Sequence, residues 1–132
     1  IFECLRNLGR DAGYLRPCFF CDNIQFLLKE LFMKKIEAIV RKEKFEPVYK
    51  ALESKGIGGL TAVPAHGFGN HRSGLKEKVK IDIYCDEFQV ELIVETIRKV
   101  AKTGFTGDGK IAVLDLEKLY RIRTGEEGAS AI

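Results

Sequence analysis

The stretch Thr103-Gly104-Phe105-Thr106-Gly107-Asp108-Gly109-Lys110-Ile111 concentrates glycines, an acid and a lysine in one short run. Glycines let backbone N–H groups approach a phosphate closely. Lys110 adds a point charge. Gly104, four further residues and then Gly109-Lys110 nearly spell a phosphate loop, which requires Ser or Thr after the lysine to hold magnesium. Ile111 stands there instead. Such a loop also runs from strand to helix, whereas this stretch leads from a helical pattern into a strand. A kinase- or GTPase-type site is therefore excluded. One strand-length later, Arg121-Ile122-Arg123 supplies two guanidinium groups that can grip phosphate oxygens bidentately. The residues alone leave two readings open: a phosphate cradle, or a helix cap at Gly104 followed by a tight turn and solvated basic side chains.

Other candidate chemistry is sparser. His66 and His71 share one loop by composition and form a candidate metal pair in an oligomer, with Cys85 as a third donor. Cys85 alternates onto an apolar strand face, which favours a core role. Cys18-Phe19-Phe20-Cys21 has the spacing of half a zinc or redox site but lacks a second pair. A hydrolase would need a general base near the phosphates, and Asp108 is the one acid placed for it.

The elements that position these residues follow from periodicity. Ile36, Ala38 and Val40 alternate with Glu37, Ile39 and Arg41, which predicts a strand. Pro47 marks a helix start, with Val48, Ala51, Leu52 and Lys55 at helical spacing and Gly56 as its cap. Leu60 to Ala65 reads as a second strand, confined by Pro64 to an edge or a strand end. His66 to Gly74 reads as a loop. Lys78 to Cys85 alternates strictly. Glu87 to Thr103 reads as a helix with Val90, Ile93, Ile97 and Val100 buried, and Ile111 to Leu114 as a fourth strand. The order βαββαβ is the ferredoxin-like α+β arrangement. Its second sheet face mixes Ile39, Val63 and Tyr84 with charged residues, a surface that invites self-association.

Composition bounds the class. The chain has 132 residues, a net charge of +3 and four cysteines. That length suits one domain, and so small a charge favours neither nucleic acid nor an anionic membrane. No apolar run is long enough to span a bilayer. Cysteine usage predicts reduced thiols and a cytoplasmic location. Residues 1–32 differ from the rest and hold Cys4, Cys18 and Cys21, while Met33 is the only methionine. The expectation is that translation starts at Met33 and that residues 1–32 are a non-native or upstream-translated leader. Within it, Asn23 to Phe32 also has the pattern of a capped amphipathic helix.

Residues 33–132 resemble the PII nitrogen-regulatory signal proteins. The resemblance rests on Met33-Lys34-Lys35-Ile36-Glu37-Ala38-Ile39, Gly59-Leu60-Thr61, Gly67-Phe68-Gly69, Lys78-Val79-Lys80-Ile81, Thr103-Gly104 through Gly107-Asp108-Gly109-Lys110-Ile111, and Arg121-Ile122-Arg123-Thr124-Gly125-Glu126 with the closing Ala131-Ile132. It implies a homotrimer with its helices outside and ATP or ADP in the clefts between neighbours. It implies phosphate contacts from Gly107, Asp108, Gly109, Lys110, Arg121 and Arg123. Thr61, Gly67, Phe68, Gly69 and Tyr84 would line the rest of the cleft. Such a protein signals to a target, an enzyme, transporter or transcription regulator, and is not an enzyme itself. A transporter target implies peripheral contact with a membrane and no insertion.

The departures from the family pattern lie in the loop after Gly67-Phe68-Gly69. In the family this T-loop is long and carries a tyrosine modified by uridylylation. Here it is about a dozen residues shorter, an ordinary connection length, and holds no tyrosine. The family's Arg-Gln becomes Asn70-His71, where the glutamine helps hold the magnesium ion that binds 2-oxoglutarate. Imidazole prefers softer metals than magnesium. Lys78 matches the family lysine that meets 2-oxoglutarate. Three functions are therefore weighed: a nucleotide-sensing PII protein, a PII-like sensor of another metabolite without uridylylation or a 2-oxoglutarate response, and a small metal-binding trimer. Phe105, where the family often carries a basic residue, is expected to serve packing.

Overall fold

The computed structural model describes residues 33–70 and 74–132. The leader, its candidate helix and its paired cysteines lie outside the described residues, as does His71. The elements are β1 (Met33–Arg41), α1 (Lys42–Ser54), β2 (Thr61–Gly67), β3 (Lys76–Asp86), α2 (Glu87–Ala101) and β4 (Lys110–Asp115), followed by a 3-10 turn at Gly128–Ala131. The strands form one antiparallel sheet in the order β2-β3-β1-β4. This is the ferredoxin-like α+β fold.

Alternation in β1 and β3 sends Ile36, Ala38, Val40, Ile81, Ile83 and Cys85 to one sheet face, where all are buried. Val48 and Leu52 from α1, and Ile93 and Ile97 from α2, close over them. Val90 and Val100 are only partly buried and pack at the margin of this core. Asp86 starts α2 cleanly, since its carboxylate accepts the Gln89 amide at 3.1 Å. No helix among the described residues is long and apolar enough to cross a membrane.

Several element boundaries differ from the sequence expectation. Helix α1 begins at Lys42, directly after β1, with Pro47 inside it. Phe45 packs against the core ahead of Val48 and Leu52, so the apolar stripe continues through the proline. Burial of that stripe offsets the one hydrogen bond Pro47 cannot make. Strand β2 runs on to Gly67 and β3 begins at Lys76, so His66 and Gly67 pair with Glu77 and Lys76 where a loop was expected. Main-chain pairing with β3 outweighs the loop-like composition. Helix α2 stops at Ala101, two residues early.

The other sheet face carries no helix. Register places Lys35, Glu37, Ile39 and Arg41 of β1 beside Tyr84, Asp82, Lys80 and Lys78 of β3. Glu37 is ion-paired to Lys80, and Asp82 lies 3.5 Å from Lys35. Ile39, Val63, Tyr84 and Leu114 stand exposed around this charged centre, each between 41% and 44% accessible.

Candidate functional site

The glycine-containing stretch after α2 folds around one carboxylate. The helix closes with the Lys102 amide on the Arg98 carbonyl at 3.1 Å. The chain then loops so that Asp108 faces back. Its Oδ2 accepts the amides of Thr103 at 2.9 Å and Gly104 at 3.0 Å. Its Oδ1 accepts the Thr103 hydroxyl and the Arg41 Nε, the latter at 3.2 Å. The Thr103 hydroxyl, then the Thr103 amide, the Gly104 amide and the Arg41 guanidinium hold the Asp108 carboxyl far below the usual carboxylate range. Arg41 also donates from Nη2 to the Thr106 carbonyl at 2.8 Å. Lys78 donates to the Gly107 carbonyl.

Two glycines make this packing attainable. Gly109 has φ +104°, and a Cβ there would sit 1.7 Å from the Ile39 carbonyl oxygen. Gly107 has φ +96°, and its Cβ would press on Arg41 Nη2 at 3.3 Å. Only glycine takes the left-handed conformation while allowing such approach.

Strand register decides which candidate residues meet. Arg41 pairs with Lys78, Ile39 with Lys110, and Gly67 with Lys76. One end of the sheet therefore gathers Gly67, Lys78 and the loop Gly107 to Lys110, with Phe68 and Gly69 following Gly67. Thr61 pairs with Asp82, and Tyr84 with Lys35, toward the opposite end. Strand β4 also finishes there, at Asp115 opposite Lys34, and the Leu116 amide bonds the Met33 carbonyl at 3.2 Å. Arg121 and Arg123 belong to the segment that leaves the sheet at that far end. The six steps of β2 from Thr61 to Gly67 span about 20 Å. The candidates thus form two groups at opposite ends of one subunit.

In the second group, Arg121 is committed to a turn. Its guanidinium reaches Glu126 at 2.7 Å and the Ile132 carbonyl at 2.9 Å, and its amide bonds the Glu126 carbonyl at 2.9 Å. Arg123 is exposed and meets no partner among the described residues. Ile122 between them is fully exposed.

Sequence reasoning missed three residues at these sites. Arg41 and Thr103 organise the loop. Arg41 belongs to no recognisable motif, and Thr103 opens the Thr103-Gly104 motif but was assigned no role there. The signal for Arg41 is its place at the end of β1 opposite Lys78, which requires the strand register. Asp82 lies beside Thr61 on the open face. Its Oδ1 is shielded without a hydrogen-bond partner, although the Lys35 and Lys80 ammonium groups stand at 3.5 and 3.9 Å. One expectation is corrected: Phe105 is 74% exposed and does not join the hydrophobic core among the described residues. Ile111 is partly buried against the core, as a first core residue of β4 should be.

The metal reading gains little. His66 pairs with Glu77 on an edge strand, and Cys85 is fully buried, its thiol pushed up to about 11 by burial and by Asp86. Among the described residues no group of three or more His, Cys, Asp or Glu is placed to hold a metal.

Comparison with known proteins gives one answer. The model of the family "Nitrogen regulatory protein P-II" matches residues 33–126. The nitrogen regulatory protein P-II of Mesorhizobium japonicum is 41% identical over 112 residues, covering 76% of this chain and all of that protein. The P-II 2 protein of Methanothermobacter thermautotrophicus is 41% identical over 114 residues, covering 77% and 99%. Among solved structures, the B. subtilis GlnK–ATP complex superposes with a TM-score of 0.69 at 37% identity, covering 76% of this chain and 98% of that one. A share of 76% of 132 residues is about 100, against 112 aligned positions in the Mesorhizobium protein, so this chain is about a dozen residues shorter over the match. With a family model covering most of its length and relatives matched end to end, the chain belongs to the P-II nitrogen regulatory protein family.

Proposed function

We propose that this protein is a P-II-type signal transducer that binds ATP or ADP between subunits of a homotrimer and thereby regulates a target protein. The carrying observation is the division of the candidate site. Gly107 to Lys110, with Gly67 to Gly69, lie at one end of the sheet, and Thr61, Tyr84, Arg121 and Arg123 belong to the other. One subunit cannot wrap both groups around one nucleotide. A neighbouring copy, packed through the uncovered sheet face, brings its far end to this loop. Ile39, Val63, Tyr84 and Leu114 offer that face the apolar area an interface needs. The B. subtilis relative is a complex with ATP.

The chemistry suits binding. Backbone amides of the loop, Lys110 and the arginines supply donors and charge without a magnesium-binding hydroxyl. Hydrolysis is not part of this role. Asp108, the one acid at the loop, has its lone pairs filled and its affinity for protons suppressed, which makes it a poor general base. The protein acts in the cytoplasm on a soluble target or on the cytoplasmic side of a transporter.

A second reading concerns the effector. Arg41 and Lys78 form a cation pair beside Gly107, suited to a carboxylate such as that of 2-oxoglutarate. The magnesium arm of that site fits less well. Asn70 offers a carbonyl oxygen, but His71 follows where magnesium would take an oxygen donor.

Calorimetry with ATP and ADP tests the proposal. Each nucleotide should bind saturably, and Lys110→Ala or Arg123→Ala should weaken binding about tenfold or more, the worth of one charge-assisted contact. Affinities unchanged in both variants would sink it. Adding 2-oxoglutarate to the ATP-loaded protein tests the effector reading, with Lys78→Ala as the control.

A further inference from the structure

We infer that Asp108 and Arg41 are positioning residues of the phosphate loop, and that Asp108 turns its charge away from the nucleotide and inward to the loop's own backbone. This inference rests on the nucleotide-binding reading and changes the role of one of its residues.

Three observations carry it. The two oxygens of a carboxylate offer about four acceptor sites. Those of Asp108 already receive four donors: the Thr103 amide, the Thr103 hydroxyl, the Gly104 amide and Arg41 Nε. No acceptor site is left for a ligand, and a carboxylate aimed at a polyphosphate would repel it.

The same bonds close residues 103–108 into a ring, which determines where the loop's amides point. Arg41 Nη2 draws the Thr106 carbonyl toward β1. In a trans peptide the N–H of the next residue points the opposite way, and no peptide bond here is cis. The Gly107 amide is therefore aimed away from Arg41. Lys78 draws the Gly107 carbonyl to the same side, so the Asp108 amide is aimed away as well. Two successive carbonyls face one cation pair because Gly107 adopts φ +96°. Their partner amides meet no acceptor among the described residues and project together, as in an anion-binding nest.

Third, the anchor sits where strand pairing holds it. Arg41 ends β1 directly opposite Lys78 on β3, on the same sheet face. Toward the nucleotide, the two cations thus act through the loop, by orienting its amides.

The sign of one substitution separates this from the alternative. If Asp108 faced the phosphates, Asp108→Asn would remove a repulsive charge and tighten ATP binding. As an anchor, its loss loosens the loop, and binding of ATP and of inorganic tripolyphosphate should weaken about tenfold while adenosine is unaffected. Arg41→Met should do the same, and the double variant should be no worse than the poorer single one, because both act through one unit. Thr103→Val, which removes the hydroxyl that donates to Asp108 and accepts the Phe105 amide, should weaken binding in the same direction with the melting temperature little changed. Wild-type or tighter ATP binding by Asp108→Asn overturns the inference, and so do losses from Arg41→Met and Asp108→Asn that add. A wild-type protein that binds no ATP overturns the nucleotide reading itself, and this one with it.

Discussion

At residue scale, Gly109 is the least replaceable position described. A methyl group there would overlap the Ile39 carbonyl, the strand neighbour that opens the β1–β4 pairing. Left-handed strain adds to the clash. Gly109→Ala should therefore lower the free energy of unfolding by about 3 kcal/mol or more, seen as a lower urea midpoint with an unchanged slope. A midpoint equal to wild type would show that the loop does not pack as described. Cys85 gives an independent probe of the core. Burial raises its thiol to about 11, so almost no thiolate exists at pH 8. Iodoacetamide should leave the Cys85 peptide unlabelled in the native protein and label it fully in urea, as read by mass spectrometry. Rapid native labelling would argue against a buried position.

At the scale of elements, both ends of α2 are governed by an aspartate. Asp86 caps the start, and Asp86→Ala should cost about 1 kcal/mol in thermal or urea unfolding. Asp108 organises the exit. Its folded pKa is depressed, so its stabilising effect is present above the unfolded value of 3.8 and is lost only as pH falls through the lower folded value. The Thr103 and Gly104 amides should keep their native NMR shifts at pH 3.8, where an ordinary aspartate is half protonated. In Asp108→Asn those shifts should differ even at neutral pH. A wild-type transition centred near 3.8 would refute the anchor. The helices and β1 were legible in sequence because Val48 and Leu52, or Ile93 and Ile97, repeat at the period of the element that buries them. The start of α1 was not, because Pro47 is a local signal and the burial of Phe45 against the sheet is a distant one.

At the scale of the whole molecule, the uncovered sheet face and the divided site point to the same assembly. Sedimentation should give a species three times the 14.9 kDa chain mass. Tyr84→Asp or Ile39→Asp, which places a charge among the exposed apolar residues of that face, should dissociate it. Nucleotide affinity should fall in the same variants if each cleft takes residues from two chains, as proposed. A monomeric variant that still bound ATP normally would refute a shared cleft. The short connection between β2 and β3 spans residues 68–75 and leaves little chain for reaching into a partner. Targets should therefore be engaged close to the body of the proposed trimer.

Contiguous residues carry the element order, the buried stripes and the motifs at Gly67-Phe68-Gly69, Gly107 to Lys110 and Arg121 to Arg123. These are set by local period and by turn chemistry, which act within a few residues. Tertiary structure alone decided that Arg41 meets Lys78, that Asp108 faces inward, and that Arg121 and Arg123 lie away from the loop they resemble partners of. Those outcomes depend on the antiparallel register of β1, β3 and β4, in which residues more than thirty positions apart become neighbours. No local pattern specifies that pairing; it follows from which faces can be buried together.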